Sequence, residues 1–376
     1  MAVTAPIVPA MASPSASRLP SLDGIRAVSI TLVLFSHLDG TVGFPVWLRE
    51  FEDFGNLGVR VFFVISGFLI TTLLLNEQSD HGLISLTGFY RRRCFRIFPA
   101  CYAFLIIIGL LNWSGRIQLL PYDLLYGAAY LMNNHVQHSW YVGHLWSLSV
   151  EEQFYLLWPA FLCFAGLRAS IRAALVMLLT APLFRIAILF LLPGYRPLIG
   201  TFFPTIADAL ATGCLLAFFG RDLNRNRHYR AFLGSWPFYL APLAVLLLNY
   251  PTSVTLSMLF GQSLLNLTIA LCIHRYVLLP YGYIGRMLNS KPLSALGVLS
   301  YSLYLWQQPF LNRHSTGLIS SFPTNIILAV GAATISYWLV ERPFLRISHR
   351  LNQHKAMFHR AGSIIRSVRD VSSLGG

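Results

Sequence analysis

Long apolar runs alternate with short polar connections along almost the whole chain after about residue 20. A helix needs about 20 mainly apolar residues to cross a bilayer. The pattern predicts an all-α polytopic membrane protein with about ten transmembrane helices. Their predicted positions are residues 24–39, 54–75, 97–112, 147–166, 171–192, 200–219, 236–250, 254–275, 293–311 and 323–341.

The segments outside these runs differ in character. Residues 1–20 are rich in Ala, Pro and Ser and lack the features of a signal peptide, so we expect a disordered cytoplasmic lead. Residues 121–132 are apolar but short and begin with proline, which indicates an interfacial or re-entrant piece. Residues 346–376 form a basic cytoplasmic tail. The transmembrane domain is therefore predicted to cover residues 21–345.

Basic residues are distributed unevenly between the connections. Most of the 28 lysines and arginines fall in alternate connections and in the tail, in groups at Arg91–Arg96, Arg168–Arg172, Arg221–Arg230, Arg275–Lys291 and Arg342–Arg369. The other connections carry only Arg49, Arg116, Arg196 and Arg313. By the positive-inside rule, both termini are expected in the cytoplasm. The net charge of +14 then follows from orientation and from the membrane lipid, and it requires no nucleic acid.

Composition narrows the class of protein further. With 55% hydrophobic and 11% charged residues, the chain cannot be an ordinary soluble enzyme or a disordered protein. The five cysteines form no CxxC pair, and no histidine lies at metal-ligand spacing from them. We interpret them as buried apolar residues and expect no metal site.

The first span contains ionisable residues, which are costly inside a membrane. Arg26 and His37 are eleven residues apart, and eleven steps of about 100° return to within roughly 20° of the starting direction, so both share one helix face. Asp23 precedes Arg26 by one turn and can orient its guanidinium. The alternative is that Arg26 reaches the lipid headgroups and His37 bonds to a neighbouring helix.

Two arginines mark the start of the third span. Arg93 and Arg96 lie one helical turn apart, a spacing that suits a polyphosphate because each presents a planar fork of donors. A positive-inside anchor is the alternative. In the middle of the second span, Ser66 and Gly67 indicate close packing between helices.

The fourth span carries two adjacent acids. Ser147, Glu151 and Tyr155 repeat at helical spacing and form one stripe, from which Glu152 must point away. Acids at the outer end of a membrane helix favour a functional role, with Glu151 ahead of Glu152.

Two later spans contain one charge each. Arg185 and Asp208 lie at similar predicted depths, so they form either a structural ion pair or part of an acceptor cavity. Near the C-terminus, Tyr301, Tyr304 and Gln308 share a helix face.

Six blocks, LDGIRAVSITLVLFSH, GVRVFFVISGFLI, FYRRRCFRIFPACY, LWSLSVEEQFYLLWP, LSYSLYLWQQPF and LVERPF, resemble acyltransferase family 3 of membrane proteins in family order. That family contains bacterial O-antigen and exopolysaccharide O-acetyltransferases. Its R-x10-H motif falls on Arg26 and His37, and its R-x-x-R motif falls on Arg93 and Arg96. Its Ser/Glu motif falls on Ser147 or Ser149 with Glu151 or Glu152. A common His-Trp pair is replaced here by Gln307 and Gln308.

The resemblance implies an integral enzyme of the bacterial cytoplasmic (inner) membrane. It implies that an acyl group, usually acetyl, passes from cytoplasmic acyl-CoA, a co-substrate rather than a bound cofactor, to a hydroxyl of a glycan or lipid-linked sugar. His37 is then the expected base, with Glu151, Arg26 and Asp23 as catalytic partners. The CoA phosphates are expected at Arg26, Arg93 and Arg96, and the substrate at Ser147, Ser149, Glu152, Tyr155, Arg185, Asp208 and Tyr304.

The residues alone leave other classes of protein open. In a transporter, the same buried charges would form a path for protons or a polar solute. A non-catalytic partner in glycan assembly is a third possibility, which the intact Arg26, His37 and Glu151 argue against. The six-block resemblance favours the enzyme.

Overall fold

The computed structural model describes residue 19 and residues 21–51, 54–250, 253–348 and 350–351. Regular structure in these residues is entirely helical, which confirms the all-α prediction. The α-helices of the described residues are α1 (Leu22–Leu38), α2 (Phe54–His81), α3 (Leu86–Trp113), α4 (Asp123–Ala128), α5 (Trp140–Gly143), α6 (Leu145–Leu191), α7 (Phe203–Arg225), α8 (Arg227–Gly234), α9 (Leu240–Asn249), α10 (Val254–Leu256), α11 (Gln262–Leu278), α12 (Gly282–Leu288), α13 (Lys291–Phe310) and α14 (Thr324–Ser336).

The number of membrane-spanning helices is smaller than the sequence predicts when it is judged by length and composition. Six helices of the described residues are long and apolar enough to cross a membrane, or seven if the bent pair around α8 and α9 counts as one span. The difference has physical causes. Helix α1 has 17 residues and α9 has 10, both below the about 20 that a perpendicular span needs. In addition, residues 140–191 count as one helix, and α13, although it has 20 residues, is not among the six.

Helix α6 is broken at Gly166, whose φ of 78° lies in the left-handed region that glycine adopts without strain. We call residues 145–165 α6a and residues 167–191 α6b. The two predicted segments 147–166 and 171–192 correspond to these parts. The predicted cytoplasmic lead lies outside the described residues, apart from residue 19, as does most of the predicted tail.

The segment 121–132 contains only the six-residue helix α4, which is too short to cross a membrane. After α4 the chain runs back along α3, where the Tyr130 ring stacks on Phe98 with 5.5 Å between centroids. The backbone N–H of Met132 then donates to the Ser149 hydroxyl of α6a at 3.1 Å. The segment therefore folds into the helical bundle instead of crossing it.

Contacts between side chains give the relative directions of the first and last long helices. Helices α1 and α13 are parallel, because Gly297 lies against the backbone of Asp23 while Arg313, just beyond α13, donates to the Ser36 carbonyl at 3.0 Å. Helix α2 is antiparallel to α1, since Gly55 at its start lies against Ser36 near the end of α1. We call the end where α1 begins the first end of the bundle and the opposite end the second end.

Helices α6a and α7 run in the same direction as α2. Trp158 in α6a donates to Thr71 at 2.9 Å, and Arg221 near the end of α7 donates to Asn76 near the end of α2 at 2.7 Å. The start of α11 lies beside the start of α2, where Arg60 bonds Gln262. Helices α2, α6a, α7 and α11 therefore begin at the second end.

Helix α3 is antiparallel to α6a. Tyr90 near its start donates to the Leu156 carbonyl at 2.7 Å, whereas the Phe104 ring further along contacts His144 before α6a. Helix α3 therefore begins at the first end with α1 and α13. Helix α2 packs against α1, which begins at the first end, and against α6 and α7, which begin at the second end.

Small residues allow α2 and α7 to approach closely. A Cβ at Gly67 would lie 2.0 Å from the Leu210 carbonyl oxygen, and one at Gly213 would lie 2.1 Å from the Val64 oxygen. Backbone contact of this kind requires glycine, because no backbone atom can move aside as a flexible side chain can. The prediction that Gly67 serves helix packing agrees with this geometry.

Gly67→Ala should force α2 and α7 apart. Overpacking typically costs about 1–3 kcal/mol, so we expect the melting temperature of the purified protein to fall by at least about 3 °C. Gly331→Ala in α14, where a Cβ would meet nothing within 4 Å, is the matched control and should not lower it. An unchanged melting temperature for Gly67→Ala would contradict the close approach.

Candidate active site

A cavity of about 780 Å³ lies between α1, α2, α3, α6a and α13. Its walls combine apolar side chains with a small set of polar ones, which is typical of ligand sites. The lining residues with polar side chains are Arg26, Ser66, Arg93, Arg96, Ser147, Glu151, Tyr155, Ser300, Tyr301 and Tyr304. The fold thus brings together most of the residues that the sequence selected from four separate spans.

Three guanidinium groups give this cavity a positive charge. Arg26 pairs with Asp23, with 3.3 Å between Nη1 and Oδ1, as its position one turn later predicted. The Arg93 guanidinium lies over the Tyr155 ring at 4.3 Å and makes no hydrogen bond to a described residue. Arg96 likewise has no hydrogen bond or ion pair within the described part of the chain, so its donors are available to an anion.

A short hydrogen-bond network crosses the middle of the cavity. The Ser66 hydroxyl donates to Glu151 Oε1 at 2.7 Å, and the Tyr155 hydroxyl donates to Ser66 Oγ at 2.8 Å. The sequence analysis assigned Ser66 to helix packing, which is wrong for its side chain. Because Ser66 directly precedes the packing residue Gly67, it was interpreted as a second small packing residue. A polar hydroxyl in an apolar helix was the signal that could have indicated a functional role.

A second pair of hydroxyl groups lies nearer the start of α6a. Ser147 Oγ and the Tyr304 hydroxyl are 2.5 Å apart, and Tyr304 donates to the His144 carbonyl at 2.8 Å. The helix face predicted to carry Tyr304 therefore does face the cavity. The His144 ring lies 5.5 Å from the Tyr304 ring and is within electrostatic range of His37.

His37 lies beyond these hydroxyls and is not a wall of the cavity itself. Its Nδ1 lies 3.0 Å from the Val33 carbonyl oxygen, which assigns the proton to Nδ1 and leaves the Nε2 lone pair available. The Trp140 ring packs edge-on at 5.8 Å. The Trp140 indole Nε1 donates to the Gln308 carbonyl at 2.9 Å, and the Gln308 side-chain amide donates to the Trp140 carbonyl at 2.9 Å, so the two residues fix each other's position.

Glu151 does not hold His37. The carboxylate bonds Ser66, while the His37 imidazole contacts Val33 and Trp140, so these two expected catalytic partners are not in direct contact. The guanidinium groups of Arg93 and Arg26 lie within electrostatic range of Glu151 in the cavity.

Two proposed substrate-binding residues of α6a face away from the cavity. Ser149 is fully buried, donates to the Leu145 carbonyl at 2.9 Å and accepts from Met132. Its hydroxyl therefore holds the re-entrant segment and has no room for a substrate. Glu152 is next to Glu151 on the helix and is absent from the cavity wall, as the stripe predicted.

Arg185 and Asp208 form an ion pair of 2.9 Å, and both side chains are 0% exposed. Arg185 also donates to the carbonyls of Thr205 and Met258 and to the Ser263 hydroxyl, and Ser263 in turn donates to Asp208. Because every nitrogen of the guanidinium is used inside the protein, the pair is structural. The expectation that these residues bind substrate is not supported by this geometry.

Arg60 is an ionisable residue within the second span to which no function was assigned from the sequence. It lies at the opposite end of the bundle from Arg26 and donates to Gln262 at 2.6 Å and to Asn266 at 3.3 Å. A charge inside an apolar helix was the signal that could have identified it.

An apolar helical bundle with a charged cavity is typical of a membrane-embedded binding or catalytic domain. Comparison with known proteins shows the family to which this domain belongs. The family model of acyltransferase family 3, which is described as an acyltransferase domain, matches residues 19–341. The chain belongs to this family. No solved structure matches it.

Curated relatives are similar to the chain over most of its length. A putative O-acetyltransferase of Staphylococcus aureus (strain COL) is 29% identical over 363 residues, which cover 87% of this chain and 57% of that protein. The peptidoglycan O-acetyltransferase of Listeria monocytogenes is 28% identical over 375 residues, covering 86% and 55%. The chain therefore spans just over half the length of the curated relatives it matches.

Arg96→Lys tests whether the cavity arginines bind phosphate. Lysine keeps the charge but loses the planar fork of donors, so we expect the dissociation constant for CoA to rise by about tenfold in calorimetry. Arg92→Lys is the matched control, because Arg92 is exposed and pairs with Glu77 outside the cavity. Equal CoA affinity of the wild type and of Arg96→Lys would leave Arg96 as a topology anchor.

Proposed function

We propose that the chain transfers an acyl group, most directly acetyl, from acyl-CoA to a hydroxyl of a cell-surface glycan. The observation that carries the proposal is the cavity in which Arg26, Arg93 and Arg96 lie toward the first end and Ser147 and Tyr304 toward the second. The names of the two relatives, both O-acetyltransferases, support acetyl as the group and a glycan as the acceptor.

The first end is proposed to face the cytoplasm of the bacterial inner membrane, with both termini on that side and with ten spans. The helix directions support this arrangement. They bring Arg91–Arg96 at the start of α3, Arg221–Arg230 at the end of α7 and Lys291 at the start of α13 to the same end. This is the distribution that the positive-inside rule requires.

The donor is proposed to enter at the first end. Its phosphates would bond Arg93 and Arg96, whose guanidinium donors are not used by described residues, with Arg26 adding charge. The pantetheine arm would then pass Ser66 and Glu151 and bring the thioester toward Ser147 and Tyr304. These residues and Tyr155 remain the proposed substrate-binding residues, because each lines the cavity.

His37 is the proposed general base. A sugar hydroxyl has too high a pKa to attack a thioester unaided, so Nε2 would take its proton as the oxygen attacks the carbonyl carbon. The tetrahedral intermediate then collapses, the C–S bond breaks, and the imidazolium returns the proton to the departing thiolate. Ester and thiol are the products, and the histidine is regenerated.

Glu151 is proposed to act by its charge on other groups around the cavity and not by direct contact with His37. Its carboxylate partly offsets the charge of Arg26 and Arg93 and holds the Ser66 hydroxyl in place. The same negative charge favours an imidazolium formed during the reaction. Asp23 orients Arg26 by their ion pair.

His37→Asn tests the proposed reaction. Asparagine keeps the size and some hydrogen bonding but cannot accept a proton near neutral pH, so transfer from labelled acetyl-CoA to glycan should fall by at least about 100-fold. Glu151→Gln should lower turnover by a smaller factor. The measurement is the amount of ester in glycans from membranes that contain equal amounts of each variant.

His314→Asn is the matched control, because His314 also packs edge-on against Trp140, with 5.2 Å between ring centroids, but its side chain is exposed. We expect its transfer rate to stay within about twofold of the wild type. A well-inserted His37→Asn protein with wild-type transfer would remove the proposed base.

A further inference from the structure

A second cavity, with about 1410 Å³ of empty space, lies at the second end of the bundle. It is bounded by the start of α2, the end of α6b, the end of α9 and the start of α11. Asn56, Arg60, Trp146, Arg196, Ser257 and Gln262 are lining residues with polar or aromatic groups. The sequence analysis assigned no role to this cavity.

The described residues that line the second cavity carry positive charge only. Arg60 and Arg196 line it, and no aspartate or glutamate is among the lining residues that the structure describes. The Arg60 guanidinium is held by two neutral amide oxygens, from Gln262 and Asn266. Asp208 acts on it electrostatically but is already bonded to Arg185.

A guanidinium held by neutral amides keeps its full charge. In a confined, partly apolar site this charge attracts an anion more strongly than it would in water. Within the described residues, Arg60 has no carboxylate within ion-pair distance. Arg196 is exposed and donates only to the Leu189 carbonyl, so its remaining donors can meet a ligand at the mouth.

The other polar groups in this cavity are neutral and can both donate and accept hydrogen bonds. Asn56 and Gln262 carry amides and Ser257 carries a hydroxyl, a set that complements the hydroxyls of a sugar. The Trp146 ring supplies a flat apolar surface. The combination of cations, neutral amides and an aromatic ring fits a saccharide that bears a negative charge.

The two cavities are neighbours. Val59 and Phe63 line both of them, with 7% and 2% of their surface exposed, so these two side chains form the wall between the donor cavity and the second cavity. An acceptor in the second cavity would therefore lie next to the proposed path of the donor, on the far side from Arg93 and Arg96.

From these observations we propose that the second cavity binds the acceptor, and that this acceptor is an anionic saccharide whose carboxylate or phosphate pairs with Arg60 and Arg196. This inference extends the proposed function and rests on it for the identification of the bound saccharide as the acceptor. The binding chemistry itself does not depend on catalysis, so it can be measured without a donor.

Equilibrium binding to the purified full-length chain tests the proposal with three probes and no acyl-CoA. These are a tetrasaccharide of glucuronic acid and N-acetylglucosamine, N-acetylglucosamine 1-phosphate, and the neutral tetramer of N-acetylglucosamine. We expect at least one anionic probe to bind about tenfold more tightly than the neutral tetramer. Preference for the first probe identifies a carboxylate, and preference for the second identifies a phosphate.

Arg60→Gln should abolish the preference for the anionic probe. Arg196→Gln should weaken it, and because Arg196 is exposed its replacement leaves the fold intact even if Arg60→Gln does not insert. Arg221→Gln is the matched control, since Arg221 also bonds an amide oxygen across two helices but lies at the first end. It should retain the full preference.

Equal affinity of the wild type for all three probes would overturn the proposal, as would a preference that persists unchanged in both Arg60→Gln and Arg196→Gln. Failure of the proposed function is distinguishable from either result. It would appear as no consumption of acetyl-CoA by the wild type while the preference for an anionic probe remains.

Discussion

The structure depends on how the charge of guanidinium groups is accommodated inside an apolar helical bundle. An unpaired charge in a membrane is costly, so each buried arginine needs a partner or a cavity. Arg185 has a complete set of protein partners and is fully enclosed. The guanidinium groups of Arg93 and Arg96 have no hydrogen bond or ion pair to a described residue and face one cavity, and Arg60, which has only neutral partners, faces another. The proposed binding sites lie where the charge is left uncompensated.

Helix α2 connects these features. Gly67 of α2 lies directly against the backbone of α7, and this contact fixes the position of α2. With the backbone fixed, Ser66 meets Glu151, Arg60 meets Gln262, and Val59 and Phe63 separate the two cavities. A helix that the sequence described mainly as apolar thus positions both sites. Membership of acyltransferase family 3 favours the proposed enzyme over the transporter and the scaffold.

The helical class, the segment positions and most residues of the donor cavity could be predicted, because apolar runs and charges within them are local signals. Arg26, Arg93 and Glu151 are examples. Tertiary contacts could not be predicted. The partner of Glu151 is 85 residues away in sequence, and Ser149 was indistinguishable from Ser147 until the fold showed which one holds the re-entrant segment. The ten predicted spans are not confirmed by length and composition, because α1 and α9 are short and residues 140–191 count as one helix by that measure.

The central claim is that the acyl group crosses from one end of the bundle to the other. The most direct measurement uses proteoliposomes in which the protein has a single, known orientation. Labelled acetyl-CoA is supplied only on the side of Arg93 and Arg96, and an impermeant glycan only on the other. The account predicts labelled glycan in this arrangement and none when the two compartments are exchanged. Label on the glycan only when donor and acceptor share one compartment would contradict it.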